Sequence, residues 1–278
     1  MTTQLLLAPA AAGKTAYVLD LVRDAARRLG STPRVVVPTH LQARAWRRRL
    51  AEAGGAIGVR VLTFDRLYAA CLNAAGEAYT ELSEPVQYRL IRAVVDGLQL
   101  DHYAPLVARP GFIQILERLI GELKAARIHP IDFSQAVDGM GSEPRLRELA
   151  QIYAAYQQRL QARGWADRAG LGWLAVEALE ERSPGVACDW PLLVVDGFDD
   201  FTSVQLALLR VLAGRVGEMI LTLTGTTDGS ERPFVHGRFG ATRNKLEAAL
   251  GVQAFPIPRQ ASHQAPALAH LEASLYRT

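Results

Sequence analysis

The sequence is poor in lysine, cysteine and long apolar runs. Of 31 Lys and Arg residues, only Lys14, Lys124 and Lys245 are lysines. Such a bias toward arginine fits a GC-rich coding sequence, and it makes the placement of Lys14 informative. Cys71 and Cys188 lie far apart, with no Cys-x-x-Cys spacing. They supply neither a disulfide framework nor a zinc or iron–sulfur ligand set, and a reducing compartment fits them best. No apolar run reaches the ~18 residues of a membrane span. The apolar N-terminus has no basic region before it and is interrupted by Gly13-Lys14-Thr15, so it does not read as a signal peptide. A soluble, cytoplasmic protein without a membrane partner is expected. The net charge is only +3, which excludes a polybasic protein but leaves room for a local basic patch.

What is present is an ordinary globular composition. The 278 residues are 49% hydrophobic and 21% charged, enough for a sizeable core. At roughly 150 residues per domain the chain has room for about two domains. Gln4–Leu7 reads as a buried strand running into a turn, and 15–29 carries apolar residues at helical spacing. Arg34–Val37 is a second strand, Leu41–Ala53 a helix and Val59–Leu62 a third strand, with Thr63 placed to cap the next helix. This alternation predicts a parallel sheet with helices on its faces.

The alternation then stops. Pro85–Leu98, Gly111–Ala126, Pro144–Ala162 and Asp167–Glu181 read as helices, with no convincing strand between them. Sheet patterning resumes at Leu192–Val195, followed by a helix at Thr202–Ala213, a strand at Glu218–Leu223, a helix at Thr242–Leu250 and a last strand at Val252–Phe255. The expected organisation is an α/β lobe built from residues 1–83 and 184–257. An all-helical insertion at 84–183 packs as its own subdomain, and 258–278 forms a C-terminal tail.

Two motifs carry chemistry. Ala8-Pro9-Ala10-Ala11-Ala12-Gly13-Lys14-Thr15 follows a strand and opens a helix, as the phosphate-binding loop GxxxxGK[ST] does, except that Ala8 replaces the first Gly. In such a loop backbone N–H groups at the helix N-terminus cradle phosphate oxygens. Ala10, Ala11, Ala12, Gly13, Lys14 and Thr15 are therefore the candidate nucleotide-binding residues, with the Thr15 hydroxyl a candidate for Mg²⁺. The second motif, Leu192–Asp200, is an apolar strand ending in Asp196, the candidate to hold Mg²⁺ through water beside Thr15. ATP and Mg²⁺ are the implied cofactors. The six histidines form no HExxH pattern.

In motif order the chain resembles the first lobe of UvrD/Rep-type superfamily-one helicases. Within that group it is most similar to the N-terminal part of AddB-type subunits of the ATP-dependent helicase/nuclease of bacterial double-strand break repair. Leu5–Thr15, Val35–Leu50, Val59–Leu67 and Val194–Leu212 carry the resemblance, and the Val-Asp-Gly-Phe of the last stretch is especially AddB-like. The resemblance implies a P-loop, RecA-like fold and a second lobe beyond the tail. It also implies an AddA-like motor–nuclease subunit as partner and single-stranded DNA as ligand. It carries strand contact onto Thr39, His40, Thr63 and Phe64. Arg44 and Arg48, within the Arg44–Arg49 cluster beside Trp46, supply the cationic types such grooves use.

Against an active motor, Gly197 stands where such helicases place the Glu that activates the attacking water. The resemblance therefore implies a degenerate motor lobe that contributes to DNA binding and complex assembly. The alternatives are an active DNA-dependent ATPase whose second lobe lies beyond residue 278, and a P-loop fold that no longer binds nucleotide.

Overall fold

The computed structural model describes residues 1–28, 32–141, 143–181, 190–226, 233–258 and 265–267. Cys188, the expected junction at 183/184, the loop 227–232 and the tail after 258 (apart from 265–267) lie outside the described residues.

The first 75 residues alternate strand and helix: β1 (Thr2–Ala8), α1 (Lys14–Ala26), β2 (Arg34–Val36), α2 (His40–Glu52), β3 (Arg60–Leu62) and α3 (Phe64–Ala75). A two-residue β4 (Thr80–Glu81) leads into α4 (Glu84–Asp96), α5 (Pro110–Ala125), α6 (Pro130–Gly139) and α7 (Pro144–Gln161). These four helices each begin with a proline in the first turn, where its missing N–H would have had no intrahelical partner anyway. Then come β5 (Trp165–Ala166), α8 (Arg168–Glu180), β6 (Leu192–Val195), α9 (Ser203–Ala213), β7 (Glu218–Thr224), α10 (Pro233–Leu250) and β8 (Ala254–Pro256).

Six strands form one sheet in the order β3-β2-β6-β7-β1-β8, and all five pairings are parallel. Successive side chains of a strand point to opposite faces. Leu6 and Ala8 accordingly pack with Val18, Leu19 and Val22 of α1 and with Ala43, Trp46 and Leu50 of α2. Leu5 and Leu7 face the other way, into a larger core shared with α3, α8 and α9. The class is the expected one: α/β, with helices on both faces of a parallel sheet.

The structure departs from the sequence reading at three places, the first being α10, which begins at Pro233 where a helix is expected only from Thr242. The helical block contains β5, which pairs in parallel with β4; two residues are too few to display a strand period. The block also contains α6, whose only buried residue is Val137, so it shows no apolar stripe. The larger core runs without a break from the sheet face through α3 and α8 into α4, α5 and α7. A buried ion pair sits within it: the Lys124 ammonium donates to both Asp167 oxygens, at 2.8 and 2.7 Å, with both side chains 0% exposed. Asp167 also accepts from the Tyr156 hydroxyl at 2.8 Å and from the Gly170 N–H at 2.6 Å, capping α8.

Candidate nucleotide and strand-binding site

Parallel strands place their C-terminal ends together, and loops at that edge carry function in open α/β sheets. Two such loops meet here. The first leaves β1 at Ala8 and turns through Pro9–Gly13 into α1. The turn needs left-handed backbone at Ala11 (φ 58°) and Gly13 (φ 88°). Gly13 caps α1 without a side chain, so no side chain of the loop covers the first-turn N–H groups. Ala8, at the position of the pattern's first glycine, is buried on the α1/α2 face of the sheet, where its methyl group packs.

The Lys14 ammonium turns back onto its own loop, donating to the Ala8 and Pro9 carbonyls at 2.9 and 2.8 Å. Burial lowers its pKa from the usual lysine value, and the attraction of Asp196 only partly opposes this. A cavity of about 600 Å³ opens over the loop, lined among others by Ala11, Gly13, Lys14, Thr15, Asp20 and Arg49. The first-turn amides and the two cations make it chemically suited to phosphate oxygens.

The second loop leaves β6 at Asp196. The Thr15 hydroxyl donates to Asp196 Oδ2 at 2.9 Å, so the two residues expected to hold magnesium do meet. Two further donors have no counterpart in the motifs. The Trp46 indole N–H also donates to Oδ2, at 2.9 Å, and the Thr222 hydroxyl donates to Oδ1 at 2.5 Å. Asp196 is 4% exposed. A carboxylate offers about four acceptor sites, and three are taken by protein donors in a place closed to water. The residues fit a nucleotide's phosphates. They do not fit a hydrated magnesium ion on Asp196 unless one of these bonds is displaced.

The strand-contact candidates divide by depth. Thr39 caps α2, its hydroxyl oxygen accepting from the Gln42 N–H at 3.2 Å. His40, Arg44 and Arg48 recur every four residues and are exposed, forming one stripe along α2. Arg48 lies 3.5 Å from Glu52 on that stripe. Thr63 is 7% exposed at the start of α3; it makes no capping bond, and its hydroxyl has no partner among the described residues. It lines a shared cavity of about 310 Å³ with His40, Arg66 and Arg168. Phe64 is 5% exposed and packs edge-on against Phe198 and Phe201, at 5.2 and 6.3 Å between ring centres. Its ring is part of the core and offers no face for a base. Arg47 and Arg49 leave the stripe: Arg47 donates to the Val61 carbonyl at 2.8 Å, and Arg49 turns to the phosphate-loop cavity.

Gly197, directly after Asp196, has φ 84°, and a Cβ there would stand 3.4 Å from the Gln42 side-chain nitrogen. Of the acids that follow, Asp200 serves α10. Asp200 accepts from Lys245 at 2.9 Å and from the Thr242 hydroxyl at 3.3 Å. Its pKa is lowered mainly by the Lys245 hydrogen bond. No helix among the described residues is long and apolar enough to cross a membrane.

The family described as "ADDB, N-terminal" matches residues 5–272. The chain is similar to a subunit of the "ATP-dependent helicase/deoxyribonuclease" of Moorella thermoacetica, with 31% identity over 100% of this chain and 26% of the relative. It is also similar to proteins of the same description from Natranaerobius thermophilus and Listeria welshimeri, 26% and 22% identical over 81% of this chain and 20% of each relative. The chain thus spans about a quarter or less of the length of these relatives. With the match running over nearly all its residues, the chain belongs to the AddB N-terminal family.

Proposed function

We propose that this chain is the helicase-like lobe of an AddB-type DNA-repair helicase–nuclease subunit, and that it binds a nucleotide's phosphates without turning the nucleotide over. The observation that carries the loss of turnover is Gly197. A general base must reach the attacking water. The position after Asp196 has no side chain and a backbone conformation that L-residues rarely adopt. Asp200, the acid held by Lys245 and Thr242, is tied down as an anchor for α10. The lobe instead contributes a strand-binding surface, His40, Arg44 and Arg48 on α2 with Thr63 at the head of α3. It assembles with an AddA-like motor–nuclease subunit that drives translocation.

The test is ATP hydrolysis by the chain in excess single-stranded DNA, together with strand binding as a function of salt. No DNA-stimulated hydrolysis is expected. Arg44→Ala/Arg48→Ala is expected to weaken binding and to flatten its log–log salt dependence by roughly 1.4, since each phosphate contact on a single strand contributes about 0.7. DNA-stimulated turnover would refute the degenerate-motor reading. An unchanged salt slope would remove the α2 stripe from the strand path.

A further inference from the structure

Nucleotide sites of this loop type ordinarily share their phosphate charge between the loop lysine and a magnesium ion, the ion being held by the loop hydroxyl and an acid from a neighbouring strand. Here the acid is closed. Asp196 Oδ2 accepts from both Thr15 and Trp46, and Oδ1 accepts from Thr222. Trp46 belongs to the core formed by α1, α2 and their sheet face, so its indole N–H is held in place by packing. Bringing a hydrated ion onto Asp196 Oδ2 means displacing a buried hydrogen bond, either that of Thr15 or that of Trp46, whose indole N–H would then lack its partner.

The same helix brings a cation to the cavity. Arg49 lies three residues beyond Trp46 on α2 and lines the cavity over Gly13, Lys14 and Thr15. Its guanidinium makes no hydrogen bond or ion pair with the described residues. The two acids in the cavity wall already face arginines: Asp20 lies 3.4 Å from Arg23, and Glu52 lies 3.5 Å from Arg48. Lys14 and Arg49 therefore leave an excess of positive charge at the loop. A guanidinium binds phosphate oxygens in pairs, and its charge does not titrate in the neutral range.

We infer that this loop takes the phosphates of a nucleoside di- or triphosphate without a divalent cation, Trp46 sealing Asp196 and Arg49 supplying the charge that magnesium would otherwise bring. The inference rests on the nucleotide-site reading above and adds to it both the ion dependence and the residue that replaces the ion. It turns the site from a motor centre into a phosphate clamp. Nucleotide held there reports on nucleotide concentration but not on magnesium.

The test is calorimetric titration of ADP and ATP into the chain, in magnesium and again in EDTA. It is run on the wild type and on Arg49→Ala, Arg49→Lys, Trp46→Phe and Lys14→Ala, with circular dichroism confirming that each is folded. The wild-type dissociation constant is expected to agree within threefold in the two buffers. Arg49→Ala is expected to weaken binding at least tenfold in EDTA, with partial recovery in Arg49→Lys. Trp46→Phe keeps a ring in the core but removes the N–H, and binding is expected to become at least fivefold tighter in magnesium than in EDTA.

Wild-type binding that is tenfold or more tighter in magnesium overturns the inference while leaving the nucleotide site standing. An Arg49→Ala variant that binds as the wild type does overturns the role of Arg49. A Trp46→Phe variant that folds yet stays indifferent to magnesium overturns the seal. No wild-type binding in either buffer overturns the nucleotide site and this inference together. Binding unaffected by Lys14→Ala places the nucleotide elsewhere and overturns both as well.

Discussion

The buried Lys124–Asp167 pair allows a quantitative prediction. Both side chains are 0% exposed, and the ammonium lies 2.8 and 2.7 Å from the two carboxylate oxygens. The rings of Tyr156 and Trp173 lie 5.2 and 5.7 Å from the Lys124 nitrogen. Replacing Asp167 with Asn keeps the volume and leaves an acceptor for the Gly170 N–H, but strands the ammonium in the core. Breaking a buried pair from one side costs about 3–5 kcal/mol.

The pH dependence separates this cause from a simple loss of packing. Burial already lowers the Lys124 pKa from the usual lysine value, more than Asp167 raises it. Without Asp167 it falls further, so the folded Asp167→Asn variant holds Lys124 neutral where the unfolded chain still binds the proton. The unfolded state then binds more protons, and stability rises with pH by up to about 1.4 kcal/mol per unit, until pH passes the ordinary lysine value near 10.4. Urea unfolding of wild type, Asp167→Asn and Lys124→Met at pH 7, 8 and 9 reads both quantities. Lys124→Met should lack the lysine-dependent rise. An Asp167→Asn variant that loses less than about 1 kcal/mol, or whose stability does not rise over this range, would show that no uncompensated ammonium is left in the core.

Glu148 gathers the backbone N–H groups of Asp101, His102 and Tyr103 at 2.8, 2.6 and 2.9 Å, tying the segment after α4 to α7. Glu148→Gln has one acceptor oxygen where the carboxylate had two, and it should lose about 1–3 kcal/mol in urea unfolding at pH 7. Burial pushes the Glu148 pKa up, but the three N–H groups outweigh it and hold it below the usual glutamate value. The stabilisation from Glu148 should therefore be full above the ordinary carboxylate range, fall as pH drops through it and vanish only below the lowered folded value, as acid unfolding of wild type and Glu148→Gln would show. Gly197→Glu, which restores the residue type of an active motor, should produce no ATPase activity and should destabilise the fold by about 1–2 kcal/mol through its left-handed backbone; measurable turnover by that variant would contradict the geometry.

The sheet is legible in the sequence because its strands are short apolar runs punctuated by Pro, Gly and Asp, and because its helices carry wide apolar faces. Leu5 and Leu7 against Leu6 and Ala8 show how one run serves two cores. α6 is not legible, since a helix that buries one side chain has no stripe to read, and the β4–β5 pair depends on two residues from each of two distant segments. The contact of Thr15 with Asp196 follows from motif order. The hydrogen bond of Trp46 spans 150 positions in sequence, and no local pattern encodes it. Thr222 does leave a signal: it is a polar residue inside the apolar run of β7, and such a residue usually has a buried partner. Lysine scarcity points further than Lys14, since Lys124 and Lys245 each hold a carboxylate.

The proposed nucleotide site depends on one property, that the Ala8–Thr15 loop still receives phosphate. Its most direct test is calorimetric titration of ATP into the wild-type chain and into Lys14→Ala. Saturable binding is expected for the wild type and is expected to be lost in Lys14→Ala while the variant keeps its circular dichroism spectrum. Absence of binding by the wild type, or equal binding by the two, would contradict it.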